Sequence, residues 1–292
     1  MIQGCATALV TPFKPNGELD EEGLRELVSL QERAGIDYIV PCGTTGESAT
    51  MTHKEHLKVI EIVLDQVKRA KVIAGAGSNS TLEAIQLTKG AKDMGAKAIL
   101  SISPYYNKPT QNGIVKHYET IADAADIPII IYNVPGRTGS NILPSTVLKL
   151  AGHPNIVGVK EASGNIGQIM AILAKAPKGF SVMSGDDAMT FPMMSLGGNG
   201  VISVASNVAP EEVCNMVHSA LDGNWTEARK QHFRLLDLFN NLFIETNPIP
   251  VKTALRLMGR TSGTFRLPLC DMEPANLEVL TKTLAQIGLI PK

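Results

Sequence analysis

Eight short segments rich in apolar and β-branched residues recur along this chain, and their recurrence constrains the fold more than any other feature of the sequence. Most of the intervals between them show helical periodicity, as in HKEHLKVIEIVLDQVKRA and TLEAIQLTKGAKDMGA, each of which follows a plausible N-cap residue. Such alternation is typical of α/β proteins with parallel strands. The segments begin near residues 5, 38, 71, 98, 127, 156, 180 and 200.

The number of segments predicts a closed (β/α)8 barrel, the TIM barrel, rather than an open sheet. An open doubly wound sheet would show similar local patterns, but the count of eight and the absence of GxGxxG after the first segment favour the barrel. We expect the barrel to occupy residues 1–209 and a C-terminal helical extension to occupy residues 210–292. No flexible linker or low-complexity tract is evident between them.

Charge and cysteine content argue against several classes of protein. The 27 basic and 28 acidic residues give a net charge of −1 without a long run of either sign, so neither nucleic acid nor a membrane is an expected partner. The four cysteines are scattered without a CxxC pair, which is typical of reduced thiols. The N-terminus lacks a basic segment, and no apolar run approaches the roughly 18–20 residues that span a bilayer. These features predict a cytoplasmic protein that acts on a small ligand.

A lysine and a tyrosine stand at the ends of two consecutive predicted strands. Lys160 follows the apolar run IVGV, and Tyr132 follows IPIII. Adjacent strands lie about 4.8 Å apart and chemistry gathers at their carboxyl ends, so both side chains could reach one small molecule. Burial would lower the pKa of the lysine, whose amine could then form a Schiff base with a carbonyl compound. Each residue also has a structural explanation. Lys160 could extend its amine into solvent, and Tyr132 could pack in the core with its hydroxyl bonded to the backbone.

Loops after the second, fourth and fifth strands add polar groups at the same end of the barrel. PCGTTGES places Thr44 and Thr45 between glycines, where backbone N–H groups could hold a carboxylate, or where the threonines could simply bond to the local backbone. Tyr105 and Tyr106 are candidate interface residues. Arg137 could clamp a carboxylate or could be solvated.

Neither a phosphate group nor a metal ion is an expected ligand. GGNG at 197–200 precedes the eighth strand and so lies at the opposite end of the barrel, while the loops SGDDAMT and ASNVAP are acidic or apolar. His53 and His56 are spaced to share a helix face, but no third ligand accompanies them, so we expect a solvated face. The sequence therefore predicts no metal and no cofactor.

Five motifs in order along the chain, GTTGE, YNVPGRTG, GVKEASGN, GVISV and ETNPIPVK, resemble those of the dihydrodipicolinate synthases. The resemblance spans almost the whole chain. It implies a TIM-barrel lyase that condenses pyruvate with L-aspartate 4-semialdehyde through a lysine Schiff base, in the diaminopimelate and lysine pathway. It also implies a homotetramer built as a dimer of dimers.

Two other kinds of protein share part of this pattern. N-acetylneuraminate lyase and the 2-keto-3-deoxy sugar acid aldolases have the lysine and the tyrosine but usually lack the arginine-bearing GRTG loop. A non-catalytic amino-acid sensor on the same barrel is the alternative from a different class, although a sensor has no use for a nucleophilic lysine beside a tyrosine.

The resemblance further implies roles for individual residues. Lys160 would form the Schiff base with pyruvate. Tyr132, Thr44 and Tyr106 would relay protons, with Tyr106 supplied by a neighbouring subunit. Thr45 would hold the pyruvate carboxylate.

The remaining substrate contacts come from later in the chain. The backbone near Gly185 and Ile202 would line the pyruvate pocket. Arg137 would bind the carboxylate of the semialdehyde.

In lysine-sensitive members of the family, L-lysine inhibits the enzyme from a subunit interface. Glu83 could pair with the ammonium group of the effector, Asn79 and Tyr105 could bond to its carboxylate, and histidines could surround its aliphatic stem. Glu83 also has a structural explanation, because Ser80 and Glu83 in STLE match a helix capping box. The positions that match the effector site are Ser48, Ala49, His53, His56, Asn79, Glu83 and Tyr105.

Overall fold

All eight predicted strands are present in the computed structural model, which describes residues 1–291. The strands are β1 (Gly4–Ala8), β2 (Tyr38–Val40), β3 (Lys71–Gly75), β4 (Ala98–Ile102), β5 (Ile129–Asn133), β6 (Ile156–Glu161), β7 (Ser181–Ser184) and β8 (Gly200–Ser203). They are parallel and pair in chain order, and β1 closes on β8 through pairs that run from Gly4 with Gly200 to Thr7 with Ser203. The prediction of a TIM barrel is confirmed.

Helices surround the barrel and continue beyond it. They are α1 (Glu21–Arg33), α2 (His53–Gln66), α3 (Thr81–Asp93), α4 (Gln111–Ala125), α5 (Pro135–Thr138), α6 (Pro144–Leu150), α7 (Ile166–Leu173), α8 (Asp187–Ser195), α9 (Pro210–Leu221), α10 (Trp225–Asn241), α11 (Ile249–Leu257) and α12 (Pro274–Gln286), with 3₁₀ turns at Ser48–Thr50 and Ala205–Asn207. The expected caps are present: Thr52 forms a capping box with Glu55 at α2, and Ser80 caps α3. Within residues 1–291, no helix combines the length and the apolar character needed to cross a membrane.

Two apolar clusters separate the inside of the barrel from its outside. Because side chains alternate along a strand, Ile131 packs outward and Tyr132 packs inward on β5. The outer cluster lies between strands and helices and runs on into α9, α10, α11 and α12, so the C-terminal helices share the core of the barrel. The inner cluster contains Ala6, Ala8, Val40, Ile73, Leu100, Ile130, Met183 and Ile202, among others.

Candidate active site

The pairing of β5 with β6 brings Lys160 and Tyr132 side by side at the carboxyl end of the barrel. The two residues are direct partners in the strand register, and the Lys160 ammonium nitrogen lies 4.4 Å from the centroid of the Tyr132 ring. Their exposed fractions are 5% and 6%. Lys160 therefore does not reach solvent, and the two residues form one buried pair.

Burial changes the acid–base chemistry of both groups. It lowers the pKa of Lys160 to about 8, with a contribution from the Arg137 guanidinium and an opposing effect of the Asp187 carboxylate. Burial raises the pKa of Tyr132, and Arg137 and the Thr44 side chain oppose that change. The lowered pKa increases the fraction of Lys160 that is neutral near pH 7, and the raised pKa keeps Tyr132 protonated.

The lysine side chain fits because Gly185 has none. Gly185 follows β7, and its N–H donates a hydrogen bond of 2.8 Å to the Glu161 carbonyl. A Cβ at this position would lie 2.9 Å from Cε of Lys160 and 2.7 Å from Cβ of Ala162. Ile202 on β8 is fully buried in the wall of the barrel interior. Both residues thus face the inside of the barrel, Gly185 just after β7 and Ile202 on β8.

Thr44 and Thr45 lie in the tight loop that follows β2. The Thr44 carbonyl accepts a hydrogen bond of 3.1 Å from the Glu47 N–H, which folds the loop back on itself. Thr44 is half-buried and lines a cavity together with Tyr132, whereas Thr45 is buried. The loop therefore exposes Thr44 to the cavity and encloses Thr45.

Asn247 is a candidate that the sequence analysis did not single out. Its side-chain amide donates a hydrogen bond of 3.0 Å to Oγ1 of Thr45, and its backbone carbonyl accepts one of 2.9 Å from the exposed Arg137 guanidinium. The Oδ1 atom of Asn247 is buried and has no partner among the described residues. Asn247 lies in the ETNPIPVK motif, but its contact with Thr45 joins positions 202 residues apart, which no local pattern could indicate.

Asp187 is a second residue that the sequence analysis noted only as part of an acidic loop. It is 1% exposed, and its Oδ2 atom accepts hydrogen bonds of 3.0 Å from the backbone N–H groups of Val204 and Ala205. Burial raises the pKa of this carboxyl, and the hydroxyl of Ser203 opposes that effect. Asp187 ties the end of β8 to α8 and is the acidic group whose charge favours the protonated form of Lys160.

A cavity of about 470 Å³ opens at this end of the barrel. Tyr132, Thr44 and Arg137 contribute to its lining. Asn79 lies outside this lining, and its amide donates a hydrogen bond of 3.1 Å to the Tyr105 carbonyl. Tyr132, Thr44 and Arg137 therefore share this cavity with most of the predicted effector positions, whereas Lys160, Thr45 and Tyr106 lie outside its lining. The effector positions in the lining are Ser48, Ala49, His53, His56, Glu83 and Tyr105.

The prediction that His53 and His56 share a solvated face is wrong for His56. This residue is 4% exposed, and its Nε2 atom lies 2.6 Å from the Gly75 carbonyl oxygen. His56 belongs to the apolar stripe of α2 with Val59, Ile60 and Val63. That stripe has helical spacing, so the sequence did carry the signal for burial.

The capping-box explanation of Glu83 does not match the structure. Ser80 does cap α3, because its hydroxyl accepts a hydrogen bond from the Glu83 N–H. The Glu83 carboxylate instead accepts a hydrogen bond from the Ser78 hydroxyl and lies 2.8 Å from Nε2 of His53. The carboxylate is thus directed toward the cavity wall rather than toward the cap.

Tyr106 does not join the buried pair of Lys160 and Tyr132 within this chain. It is 89% exposed and has a backbone φ of 70°, in the left-handed region. Tyr105 is 37% exposed. The two loop tyrosines therefore present aromatic surface at the mouth of the barrel.

The fold and the site together define a class of protein: a (β/α)8 barrel with a buried lysine amine beside a tyrosine at the carboxyl end of its strands. The model of the dihydrodipicolinate synthetase family matches residues 1–287, and the chain belongs to this family.

Individual relatives are similar to this chain over their full length. A 4-hydroxy-tetrahydrodipicolinate synthase of Citrifermentans bemidjiense is 53% identical over 291 residues, which cover 99% of this chain and 100% of the relative. The crystal structure of dihydrodipicolinate synthase from Aquifex aeolicus matches all of both chains with 49% identity and a TM-score of 0.97. The enzyme from Cyanidioschyzon merolae, solved with lysine bound, matches 99% of both chains with 46% identity and a TM-score of 0.96.

These matches confirm the function predicted from the motifs. The chain is a lyase with 4-hydroxy-tetrahydrodipicolinate synthase activity, which condenses pyruvate with L-aspartate 4-semialdehyde in lysine biosynthesis. The family match and the named relatives favour this activity over that of the sugar acid lyases and over a non-catalytic sensor.

Proposed function

We propose that Lys160 is the residue that forms the Schiff base with pyruvate. The observation that carries this assignment is the buried position of its amine, 4.4 Å from the Tyr132 ring, with a pKa lowered to about 8. The neutral amine attacks the ketone carbon of pyruvate, and the resulting carbinolamine loses water to give a protonated imine. Loss of a proton from the methyl carbon then gives an enamine, which attacks the aldehyde carbon of the semialdehyde.

Each proton transfer in this sequence needs a group that keeps a proton near neutral pH and can exchange it. Tyr132 is suited to protonate the departing hydroxyl of the carbinolamine, because it holds a proton near neutral pH and its ring lies beside the amine. Thr44, which lines the same cavity as Tyr132, continues the relay toward the mouth of the barrel. Tyr106 of a neighbouring subunit completes it.

The two substrate carboxylates bind at different places in this proposal. Thr45 and the backbone of its loop hold the pyruvate carboxylate, with Gly185 and Ile202 closing the pocket behind it. Arg137 binds the carboxylate of the semialdehyde at the cavity mouth. The exposed position of Arg137 in the cavity lining supports this role.

Reduction with borohydride in the presence of pyruvate tests the central assignment. We expect one reduced adduct, located on the peptide that contains Lys160, and none in Lys160→Met. Lys282→Met is a matched control, because Lys282 is an exposed lysine that pairs with Glu278 on α12. An adduct on another lysine, or an adduct that persists in Lys160→Met, would show that the assignment is incorrect.

We also propose a homotetramer in which Tyr106 acts across a subunit interface. The exposed apolar side chains of Leu82, Tyr105 and Tyr106, and those of Ile166, Met170 and Leu196, support self-association. Residues 1–209 would supply the catalytic barrel and residues 210–292 the helical extension. The biosynthetic activity is consistent with the predicted cytoplasmic location.

Subunit complementation tests the role of Tyr106. Lys160→Met and Tyr106→Phe should each be nearly inactive alone. When the two are unfolded and refolded together, mixed oligomers should regain activity, because a Tyr106→Phe subunit keeps Lys160 and receives Tyr106 from its neighbour. If Tyr106 served its own chain, no mixed oligomer would contain a complete site, and activity would stay low.

L-lysine is proposed as an inhibitor that binds in the outer part of the cavity. The lysine-bound relative from Cyanidioschyzon merolae supports this role, as do the Glu83 carboxylate and the adjacent His53. We expect millimolar lysine to inhibit turnover at saturating pyruvate, and Glu83→Ala to weaken that inhibition. Glu61→Ala, which removes an exposed carboxylate paired with Lys58 on α2, should leave it unchanged. Equal inhibition of folded Glu83→Ala and wild type would contradict the assignment of Glu83.

A further inference from the structure

The loop that carries Thr44 and Thr45 has an unusual backbone on both sides. Cys42 has φ 56° and Glu47 has φ 52°, so two residues with side chains occupy the left-handed region. This conformation is strained for a residue with a side chain, and it persists only where the surrounding structure holds it in place. The geometry of this loop therefore depends on contacts outside it.

The strongest of those contacts is a buried ion pair. The ammonium group of Lys252, in the middle of α11, bonds to Oε1 of Glu47, and both side chains are almost completely buried, with exposures of 1% and 0%. The Lys252 ammonium also donates a hydrogen bond of 2.7 Å to the Thr264 carbonyl. Oε2 of Glu47 accepts a hydrogen bond of 3.4 Å from the Arg266 N–H. The Glu47 carboxylate is thus held by two segments of the C-terminal extension.

Aromatic side chains enclose the same lysine. Its ammonium nitrogen lies 4.5 Å from the centroid of the Phe13 ring and 5.3 Å from that of Phe265. Arg266 covers the Phe13 ring at 4.1 Å and binds Glu55 on α2 at 2.6 Å. The ion pair therefore lies where the loop after β1, the loop after β2 and the C-terminal extension meet.

Stability alone is a weak reason for such a pair. Desolvation of two charges offsets most of their attraction, and well-packed apolar residues of similar volume often give an equally stable protein. What apolar residues cannot supply is a directional constraint on the Glu47 backbone, whose N–H bonds to the Thr44 carbonyl. We infer that Glu47 and Lys252 are positioning residues that hold the Thr44–Thr45 loop in the geometry that binds the pyruvate carboxylate. This inference rests on the proposed role of Thr45.

The test separates positioning from folding by removing both charges. Glu47→Gln/Lys252→Met keeps the side-chain volumes and leaves no unpaired buried charge, so we expect it to fold. We expect the KM for pyruvate to rise by about 10- to 100-fold, because small displacements of binding groups have effects of that size. The rate at which the imine forms at subsaturating pyruvate, measured by borohydride trapping, should fall by the same factor. The KM for the semialdehyde should change less than threefold.

A mutant cycle with Thr45→Val shows whether the pair acts through the loop. If it does, the triple variant should be little worse than the worse of Thr45→Val and the double variant, because coupled residues are not additive. If the two effects on the pyruvate KM multiply, or if the double variant has the wild-type KM, the positioning role is incorrect. Should the double variant fail to fold, Glu47→Asp keeps both charges, shortens the contact and enters the same cycle.

The same data distinguish this inference from the proposed function. A wild-type pyruvate KM in Thr45→Val would remove Thr45 from the pyruvate site, and the positioning inference would fall with it. A raised KM in Thr45→Val together with a wild-type KM in the double variant would leave the pyruvate site in place and reject only the role of Glu47 and Lys252. Lys282→Met, which breaks an exposed pair in the same extension, should have wild-type kinetics.

Discussion

Lys160 and Lys252 are both buried lysines, and each lies over an aromatic ring, yet they differ in one respect. The Lys160 nitrogen lies 4.4 Å from the Tyr132 ring, and the Lys252 nitrogen lies 4.5 Å from the Phe13 ring. Lys252 forms an ion pair with Glu47. Within residues 1–291, no carboxylate oxygen lies within 4.0 Å of the Lys160 ammonium nitrogen, so Lys160 has no salt bridge there.

This difference distinguishes the paired ammonium group of Lys252 from the amine of Lys160, which we propose to be the nucleophile. Burial lowers the pKa of Lys252, but the adjacent Glu47 carboxylate opposes that effect and favours a fixed charge. Burial also lowers the pKa of Lys160, and the more remote Asp187 opposes it only in part, so the pKa is about 8. The aromatic ring is common to both sites, which makes the neighbouring carboxylate the decisive feature.

The largest expected effect concerns turnover. Lys160→Met should reduce turnover by more than about 10⁴-fold, because no other amine in the site can replace the nucleophile. Lys252→Met should still form the pyruvate adduct at Lys160 in whatever fraction of the protein is folded. Steady-state assays and mass spectrometry after borohydride reduction measure both. Turnover by Lys160→Met within tenfold of wild type would abolish the distinction between the two lysines.

The next effect concerns the ring beside the reactive amine. Tyr132→Phe keeps the aromatic face over Lys160 but removes the hydroxyl, so we expect normal folding and a loss of about 10²–10⁴-fold in turnover. Tyr38→Phe is a useful control, because Tyr38 is also a buried tyrosine in the barrel interior but belongs to the start of β2. It should retain turnover within a few fold. Turnover by Tyr132→Phe close to the wild-type value would mean that the ring, and not the hydroxyl, is what Lys160 requires.

The sequence predicted the arrangement around Lys160 but not the ion pair of Lys252. Lys160 and Tyr132 were predicted to be neighbours because both follow apolar runs at strand ends, and strand order follows chain order in a barrel. Lys252 was not singled out, since its partner Glu47 is 205 residues away and its helix has an ordinary amphipathic pattern. Local periodicity predicts elements and their buried faces, whereas pairs formed between distant loops depend on how those elements pack.

The third effect is a change in the free energy of unfolding. Replacement of Lys252 should lower it, whereas replacement of Lys160 should raise it. Lys252→Met leaves the Glu47 carboxylate buried without its partner, and we expect a loss of about 3–5 kcal/mol in the free energy of unfolding. Lys282→Met breaks an exposed pair and should cost less than about 1 kcal/mol. Urea unfolding of the three proteins gives these values. Equal stability of Lys252→Met and Lys282→Met would show that Glu47 does not depend on the ion pair.

The smallest expected effect is a gain in stability when Lys160 is replaced by methionine. The pKa of Lys160 is about 8 in the folded protein and 10.5 without burial, so the folded state is destabilised by about 3 kcal/mol below pH 8, where the amine is protonated in both states. Between pH 8 and 10.5 the unfolded state binds more protons, and the wild type therefore gains stability as the pH rises. Lys160→Met lacks this penalty and should be more stable than wild type at pH 7. The advantage should shrink to about 1 kcal/mol at pH 9.5. Urea unfolding at the two pH values measures it, and a variant that is no more stable than wild type at pH 7 would mean that Lys160, like Lys252, has a compensating partner.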